Sequence, residues 1–157
     1  MAENALEIGI VSCSGEDCLG GTISRLATRM MLEEMEDNAV TICLPLYLAG
    51  GEEERTFAKD YPTITVDGCS KCCAKRATEK YSGIVSESID VSAFIGKGNA
   101  ESAGLSTRAL NEEHHEMVKK VFGEIKTKFD AIMNAKAGDD KSGGKKSDGC
   151  GCGCGCS

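Results

Sequence analysis

The sequence predicts an α/β fold: a Rossmann-like, three-layer domain in which a mostly parallel sheet of about four strands is flanked by helices. Short apolar or β-branched runs alternate along the chain with segments in which apolar residues recur at every third or fourth position. Gly, Pro, Asp and Asn stand between most of these segments. Strands that alternate with helices form parallel sheets with right-handed crossovers, and this pattern decides the fold class.

Four segments are predicted to be strands because they are short and rich in Ile, Val and Thr. They cover residues 6–13, 39–44, 63–66 and 88–91. Pro45 has no N–H and is therefore expected to stop the second strand.

Four helices are predicted from apolar spacing and from residues typical of helix ends. The first has one apolar face and Thr22 as its N-cap, and Asp37-Asn38 ends it. Residues 52–59 form a short helix with an acidic first turn, and residues 70–80 have helical composition, with Cys69 as N-cap. The last helix covers roughly residues 107–135, where apolar side chains at helical spacing would cover one sheet face, and residues 99–106 before it are predicted to be a loop.

Composition limits the classes of function. The chain has 157 residues, enough for one domain with a core, and its net charge of −7, without a long basic stretch, argues against a nucleic-acid partner. It contains no run of eighteen apolar residues, so no membrane partner is expected. The N-terminal segment lacks the pattern of a secretory signal, and we therefore expect a cytoplasmic protein whose thiols stay reduced.

Ten cysteines in a reducing compartment indicate metal or thiol chemistry. Six of them fall at the end of a predicted strand or in the loop or helix start that follows it: Cys13, Cys18, Cys43, Cys69, Cys72 and Cys73. Because ligands bind beyond the carboxyl ends of parallel strands, these thiols are expected to converge at one edge of the sheet. Four converging thiolates would suit zinc or an iron–sulfur centre, and the positions alone leave open which four are ligands.

Three of these cysteines, Cys69, Cys72 and Cys73, fall near the start of the helix predicted at residues 70–80. The free N–H groups and the dipole at a helix N-terminus favour anions, and a thiolate is an anion. We therefore expect the pKa of at least one of these thiols to be lowered.

Three segments resemble, in this order, the DGC-domain family, which is described as zinc-binding: IVSCSGEDCLGGTISRLATRM, ICLPLYLAGGEE and TVDGCSKCCAKRATEK. The family is named for an Asp-Gly-Cys triplet, which is here Asp67-Gly68-Cys69. The resemblance covers roughly residues 6–91 and implies four zinc ligands, the last two in the family's Cys-x-x-x-Cys-Ala pattern. The positions that match these ligands are Cys13, Cys43, Cys69 and Cys73. Cys18 and Cys72 are additions to the family pattern and are expected to be auxiliary thiols.

Two alternatives remain at this stage. Cys69 and Cys72 form a C-x-x-C pair at a predicted helix start, an arrangement typical of thioredoxin-type redox pairs. A thiol redox or sulfur-transfer enzyme is therefore the first alternative, and an iron–sulfur protein is the second. We expect a metal-binding protein rather than an enzyme, with the metal ion and a protein that exchanges metal or sulfur as its partners.

Residues 138–157 contain no large apolar side chain and are predicted to be a flexible tail, separate from a domain at residues 1–137. In this tail cysteines alternate with glycine: Cys150, Cys152, Cys154 and Cys156. Gly leaves the backbone free to wrap an ion, so these thiols are expected to capture zinc, Cu(I) or another thiophilic metal. The flexible linker would let the tail pass metal to the domain, as a metallochaperone does.

Overall fold

A computed structural model describes residues 6–13, 15, 17–102 and 109–139 of the chain. Within these residues one sheet contains four strands: β1 (Ile8–Ser12), β2 (Ala39–Val40), β3 (Thr63–Asp67) and β4 (Glu87–Asp90). The strands are all parallel and lie in the order β2-β1-β3-β4. The predicted α/β class with a parallel sheet is therefore confirmed.

Seven helices flank this sheet in the described part of the chain: α1 (Leu19–Glu34), α2 (Leu46–Ala49), α3 (Glu52–Asp60), α4 (Cys73–Tyr81), α5 (Ser92–Ile95), α6 (Lys97–Ala100) and α7 (Glu112–Asp139). The helices α2, α5 and α6 have four residues each and were not predicted, because one turn is too short to show a periodic pattern. α6 covers the start of the predicted loop at residues 99–106. Of the helices described, none combines the length and the apolar character needed to cross a membrane.

The two faces of the sheet carry separate apolar clusters, as the alternation of side chains along a strand requires. On one face Ile8 and Ile10 pack against buried residues of α1 and α7. On the other face Val11 packs in a smaller cluster with Tyr47 of α2 and Phe57 of α3. The sheet therefore lies between two helical layers, as predicted.

The strand order places β1 and β3 side by side at the centre. β1 pairs with β3 from Gly9↔Thr63 to Ser12↔Val66, whereas β1 pairs with β2 at two positions only. The chain leaves β1 for β2 on one side and returns to β3 on the other, so the direction of the strand order reverses between β1 and β3. Loops diverge at such a point, and ligands of open parallel sheets bind beyond the carboxyl ends of the strands there.

The predicted second strand, residues 39–44, is too long, since β2 ends at Val40. The side chain of Thr41 explains the early end: its hydroxyl donates a 2.7 Å hydrogen bond to the carbonyl of Ile10. That carbonyl is an acceptor on the adjacent strand β1, and a side chain now occupies it in place of a strand N–H. Residues 41–45 consequently run without strand pairing to α2.

Two predicted helix starts are also corrected. α1 begins at Leu19 with Cys18 as N-cap, so Thr22 lies inside the helix. The N–H of Leu19 donates to the carbonyl of Ser102 at 3.0 Å, which satisfies one backbone group that the first turn leaves free. α7 begins at Glu112, where the side chain of Asn111 accepts a 2.9 Å hydrogen bond from the N–H of His114. Residues 103–108 lie outside the described residues.

The predicted domain boundary at residue 137 stays a prediction, because α7 continues to Asp139 and the chain is not described beyond it. The four tail cysteines, residues 150, 152, 154 and 156, lie outside the described residues as well.

Candidate metal centre

Cys13 is the first residue after β1 and is 6% exposed. Its Sγ accepts a 3.2 Å hydrogen bond from the backbone N–H of Gly68 and lies 3.5 Å from the hydroxyl of Ser24. Burial raises the pKa of the Cys13 thiol, and the contacts with Ser24 and Gly68 oppose this rise only in part. The residue that follows the first strand is therefore a thiol of raised pKa that contacts the turn after the third strand.

That turn contains the Asp-Gly-Cys triplet, and Asp67 caps the helix that follows it. The Asp67 side chain is 1% exposed. Its Oδ1 accepts a 2.6 Å hydrogen bond from the N–H of Ala74, and its Oδ2 accepts a 3.0 Å bond from the N–H of Lys75. Both donors belong to the first turn of α4, where N–H groups have no partner within the helix. The aspartate thus connects the end of β3 to the start of α4.

The predicted helix start at Ser70 is wrong, since α4 begins at Cys73. Cys72 has φ 50° and ψ 50°, the left-handed conformation, and it is the one non-glycine residue with positive φ in the described parts of the chain. Its N–H donates a 3.1 Å hydrogen bond to the carbonyl of Cys69. Residues 69–72 therefore form a tight turn, and Cys72 rather than Cys69 is the N-cap.

The pKa of Cys72 is raised, so Cys72 is not the thiol with a lowered pKa that is expected among Cys69, Cys72 and Cys73. Burial is the largest cause, and the negative charges of Asp67 and Asp90 add to it. Asp67 also occupies the N–H groups of Ala74 and Lys75 that were expected to attract a thiolate. The Asp67 carboxylate thus already offsets the partial positive charge at the N-terminus of α4. The helix therefore offers little attraction to a thiolate at Cys72.

A contact between glycines holds the triplet against the start of α1. A Cβ added to Gly20 would lie 2.0 Å from the carbonyl oxygen of Gly68. A Cβ added to Gly68 would lie 2.4 Å from the backbone nitrogen of Gly21. No side chain fits between these backbones, because real Cβ contacts are not that short. This contact was not predicted from the sequence, although two glycines in the first turn of a helix, where Gly is unfavourable, are a sign of close packing.

The other cysteines lie beyond the carboxyl ends of the strands. Cys43 is exposed in the segment between β2 and α2, and Cys73 is exposed at the start of α4. Cys18 and Cys69 are partly buried, at the N-cap of α1 and in the turn after β3. All six cysteines of the described part are free thiols.

The structure brings Cys13 into contact with the Gly68 turn but does not gather a complete set of ligands. Among the residues described, no group of three or more His, Cys, Asp or Glu side chains is arranged to hold a metal ion. The ligand set Cys13, Cys43, Cys69 and Cys73 therefore stays a prediction.

In a comparison with protein families, a family model described as the DGC domain matches residues 9–122. The matched region is longer than the resemblance noted in the sequence, and it extends into the first part of α7. The search of curated proteins and the search of solved structures find no match.

Proposed function

This chain belongs to the DGC-domain family, and we propose that it binds zinc or another soft metal ion through cysteine thiolates at the carboxyl edge of its sheet. The metal is the cargo of a carrier or chaperone rather than a catalyst. The proposed ligands are Cys13, Cys43, Cys69 and Cys73, with Cys18 and Cys72 as auxiliary thiols.

The observation that carries this proposal is the hydrogen bond from the N–H of Gly68 to the Sγ of Cys13, 3.2 Å long. It places the thiol that ends β1 against the residue that precedes Cys69. The contact lies where the strand order reverses, which is where parallel α/β sheets bind ligands. Two of the four proposed ligands thus belong to segments that already touch.

The type of donor fits a soft metal, since thiolates bind Zn²⁺, Cu(I) and iron–sulfur clusters. The remaining proposed ligands, Cys43 and Cys73, are exposed and stand in or next to segments without strand pairing. We therefore expect residues 41–44 and 68–73 to rearrange when metal binds, as metal sites commonly form together with their local structure. Because the pKa of Cys13 is raised by burial, metal binding must displace a proton there.

Metal content of cysteine variants tests the ligand set. In a full-length chain whose four tail cysteines are serine, we expect Cys13→Ser, Cys43→Ser, Cys69→Ser and Cys73→Ser each to lower the bound metal, because serine lacks the soft thiolate. Cys18→Ser is the matched control and should retain more metal than any of the four. Full occupancy in all four variants would refute this ligand set.

A thiol redox or sulfur-transfer activity is the second candidate, and one contact favours it. The hydrogen bond from the Cys72 N–H to the Cys69 carbonyl, 3.1 Å long, folds the C-x-x-C pair into a tight turn. Metal analysis and an optical spectrum of anaerobically purified protein separate the candidates. Colourless protein with zinc supports metal binding, and brown protein with iron and sulfide supports an iron–sulfur centre. Metal-free protein with a reversible disulfide supports thiol redox chemistry.

A further inference from the structure

Three groups of the chain lie close to the Sγ of Cys13. The N–H of Gly68 approaches it from the turn after β3 at 3.2 Å, and the hydroxyl of Ser24 lies 3.5 Å away on α1. A Cβ added to Gly15 would lie 3.2 Å from the same sulfur. Cys13 also lines a cavity of about 370 Å³, and Cys43 lines it as well. Cys13 therefore borders a space that it shares with a second proposed metal ligand.

Ser24 is the side chain in contact with this sulfur. It is 0% exposed, so its hydroxyl has to find its partners inside the protein. The hydroxyl donates a 2.8 Å hydrogen bond to the carbonyl of Gly21, which lies one turn earlier in α1. A serine hydroxyl has one hydrogen to donate, and the Gly21 carbonyl uses it. In the 3.5 Å contact the thiol of Cys13 is therefore the donor and the oxygen of Ser24 is the acceptor.

Metal binding would reverse the direction of this contact. In the proposed site the Sγ of Cys13 binds the ion as a thiolate, and its proton leaves to the solvent. The sulfur then has no hydrogen to donate, and it faces the lone pairs of the Ser24 oxygen. A negatively charged sulfur beside an oxygen lone pair in a buried place is unfavourable. Rotation of the hydroxyl toward the sulfur replaces this repulsion by a hydrogen bond to a charged group.

The rotation leaves no backbone group without a partner. The carbonyl of Gly21 lies in the first turn of α1 and accepts the helix hydrogen bond from the N–H four residues further along. The bond from Ser24 is therefore a second one at that oxygen. The exchange is favourable, because hydrogen bonds to charged groups are stronger than those between neutral groups.

We propose that Ser24 is a positioning residue of the metal site, whose hydroxyl turns from the Gly21 carbonyl to the Sγ of Cys13 when that sulfur binds metal. The sulfur then accepts two hydrogen bonds from the chain, one from Ser24 and one from the N–H of Gly68. This role rests on the proposed metal binding and adds a residue that is not itself a ligand. Residues of this kind orient the ligands, and their loss commonly lowers metal affinity about 10–100-fold.

Anaerobic titration with Co²⁺ tests this role in the full-length chain whose four tail cysteines are serine, which is the parent protein here. Co²⁺ bound by thiolates has a sulfur-to-metal charge-transfer band in the near ultraviolet. Hydrogen bonds to the sulfur move this band to higher energy, because they stabilise the electrons of the sulfur. In Ser24→Ala we expect the band at lower energy and an affinity for Co²⁺ about tenfold weaker, since the sulfur loses one donor. A band and an affinity equal to those of the parent protein would overturn the proposal.

Ser82→Ala is the matched control. Ser82 is also buried, and its hydroxyl accepts a 2.9 Å hydrogen bond from the N–H of Ala58. It is the C-cap of α4, at the opposite end of this helix from Cys73. The same substitution there removes a buried hydroxyl far from the sulfur and should leave the charge-transfer band unchanged. A shift as large as that in Ser24→Ala would assign the effect to a general loss of stability and would overturn the proposal.

Ser24→Thr is a second variant, which keeps the hydroxyl. It should give the band energy of the parent protein, and a displaced band would overturn the role of the hydroxyl whether or not Ser24→Ala folds. Failure of metal binding itself has a different signature. Absence of the band in the parent protein would reject the metal site, and the role of Ser24 with it. A band that Ser24→Ala leaves unchanged would reject the role of Ser24 alone.

Discussion

At the residue scale, opposing effects act on the pKa of the Asp67 carboxyl group. Its carboxylate is buried, and burial raises its pKa, while the hydrogen bonds from Ala74 and Lys75 act in the opposite direction. The negative charge of Asp90 raises the pKa further. Burying a carboxylate is costly unless it is hydrogen-bonded, and the two N–H donors of α4 supply those bonds. The aspartate of the family triplet is therefore a helix cap rather than a metal ligand in this structure.

Asp67→Asn should reduce the free energy of unfolding by about 1–3 kcal/mol, because the amide NH₂ replaces one acceptor oxygen and leaves an N–H of α4 unpaired. Urea unfolding at a fixed acidic pH measures this change. Asp37→Asn, at an exposed position after α1, is the matched control and should change the stability little. Equal stabilities of Asp67→Asn and the wild-type protein would show that the cap contributes nothing.

The effect of Asp67→Asn on the free energy of unfolding should depend on pH. The pKa of Asp67 in the folded state is raised above its ordinary value of 3.8, so the folded protein holds this proton more tightly than the unfolded chain does. The resulting stability is present below pH 3.8 and is lost as the pH rises through the raised pKa. The difference in stability between the wild type and Asp67→Asn should therefore narrow as the pH increases through this window. A stability difference that widens over the same pH range would contradict a raised pKa of Asp67 in the folded protein.

Cys13 should be the least reactive thiol among the cysteines that the structure describes. Burial raises its pKa and also encloses its sulfur, whereas Cys43 is exposed. In metal-free protein at pH 8, we expect iodoacetamide to modify Cys13 at least about tenfold more slowly than Cys43, because the thiolate is the reactive form. Mass spectrometry of peptides from timed samples measures both rates. Similar rates for the two cysteines would mean that the burial of Cys13 does not protect it.

At the scale of elements, the turn after β3 and the start of α1 are held by backbone contacts rather than by side chains. Gly20 and Gly21 of α1 approach Gly68 more closely than any residue with a Cβ could. This contact fixes the distance between α1 and the turn, and therefore fixes the position of Cys13, whose sulfur touches the Gly68 N–H. The first two residues of the family triplet thus each have a structural role: Asp67 caps α4, and Gly68 packs against α1.

Gly68→Ala should lower the free energy of unfolding by about 1–3 kcal/mol, because the added methyl group forces the backbones apart. It should also lower the metal affinity, because the segments that carry Cys13 and Cys69 would separate. Urea unfolding and a metal titration measure the two effects.

Gly123→Ala is the matched control for this substitution. Gly123 lies inside α7, and a Cβ there would have nothing within 4 Å. Alanine should therefore stabilise the protein by about 0.5–1 kcal/mol, since glycine is unfavourable in a helix interior. A neutral effect of Gly68→Ala on stability would contradict the close contact with α1.

The elements also show where prediction from sequence succeeds. β1, β3 and α3 lie close to their predicted positions, because each is a local pattern with a clear end. β2 and the start of α4 differ because contacts distant in sequence decide them. The Thr41 hydroxyl takes an acceptor on β1, and the Asp67 carboxylate caps residues that are seven and eight positions away.

At the scale of the whole molecule, α7 completes the core. Its buried residues Val118, Val121, Ile125 and Phe129 belong to the same cluster as the inner residues of the sheet and α1. The family match ends at residue 122, inside this helix. The fold therefore needs a helix whose second half lies beyond the matched region, because without it one sheet face and one side of α1 would be exposed.

Replacing Cys150, Cys152, Cys154 and Cys156 by serine tests the role of the tail. We expect the total metal capacity to fall and the free energy of unfolding to stay unchanged, since this segment contains no large apolar residue to bury. If the tail delivers metal, loading of the domain from a buffered metal source should also slow, because the linked thiols raise the local thiol concentration. Metal analysis and stopped-flow loading measure both effects. A lower capacity with an unchanged loading rate would reject delivery, and no change in either would reject metal capture.

The sequence by itself determined the fold class, the parallel sheet and the position of cysteines beyond the ends of its strands. These features depend on local periodicity and on the order of the elements, and both can be read directly from the amino-acid sequence. Only the tertiary structure decided that Asp67 caps α4, that Gly68 packs on α1, and that Ser24 lies beside the sulfur of Cys13. Each of these contacts joins residues that are distant in sequence or separated by a change of backbone direction, and neither spacing nor composition records such a distance.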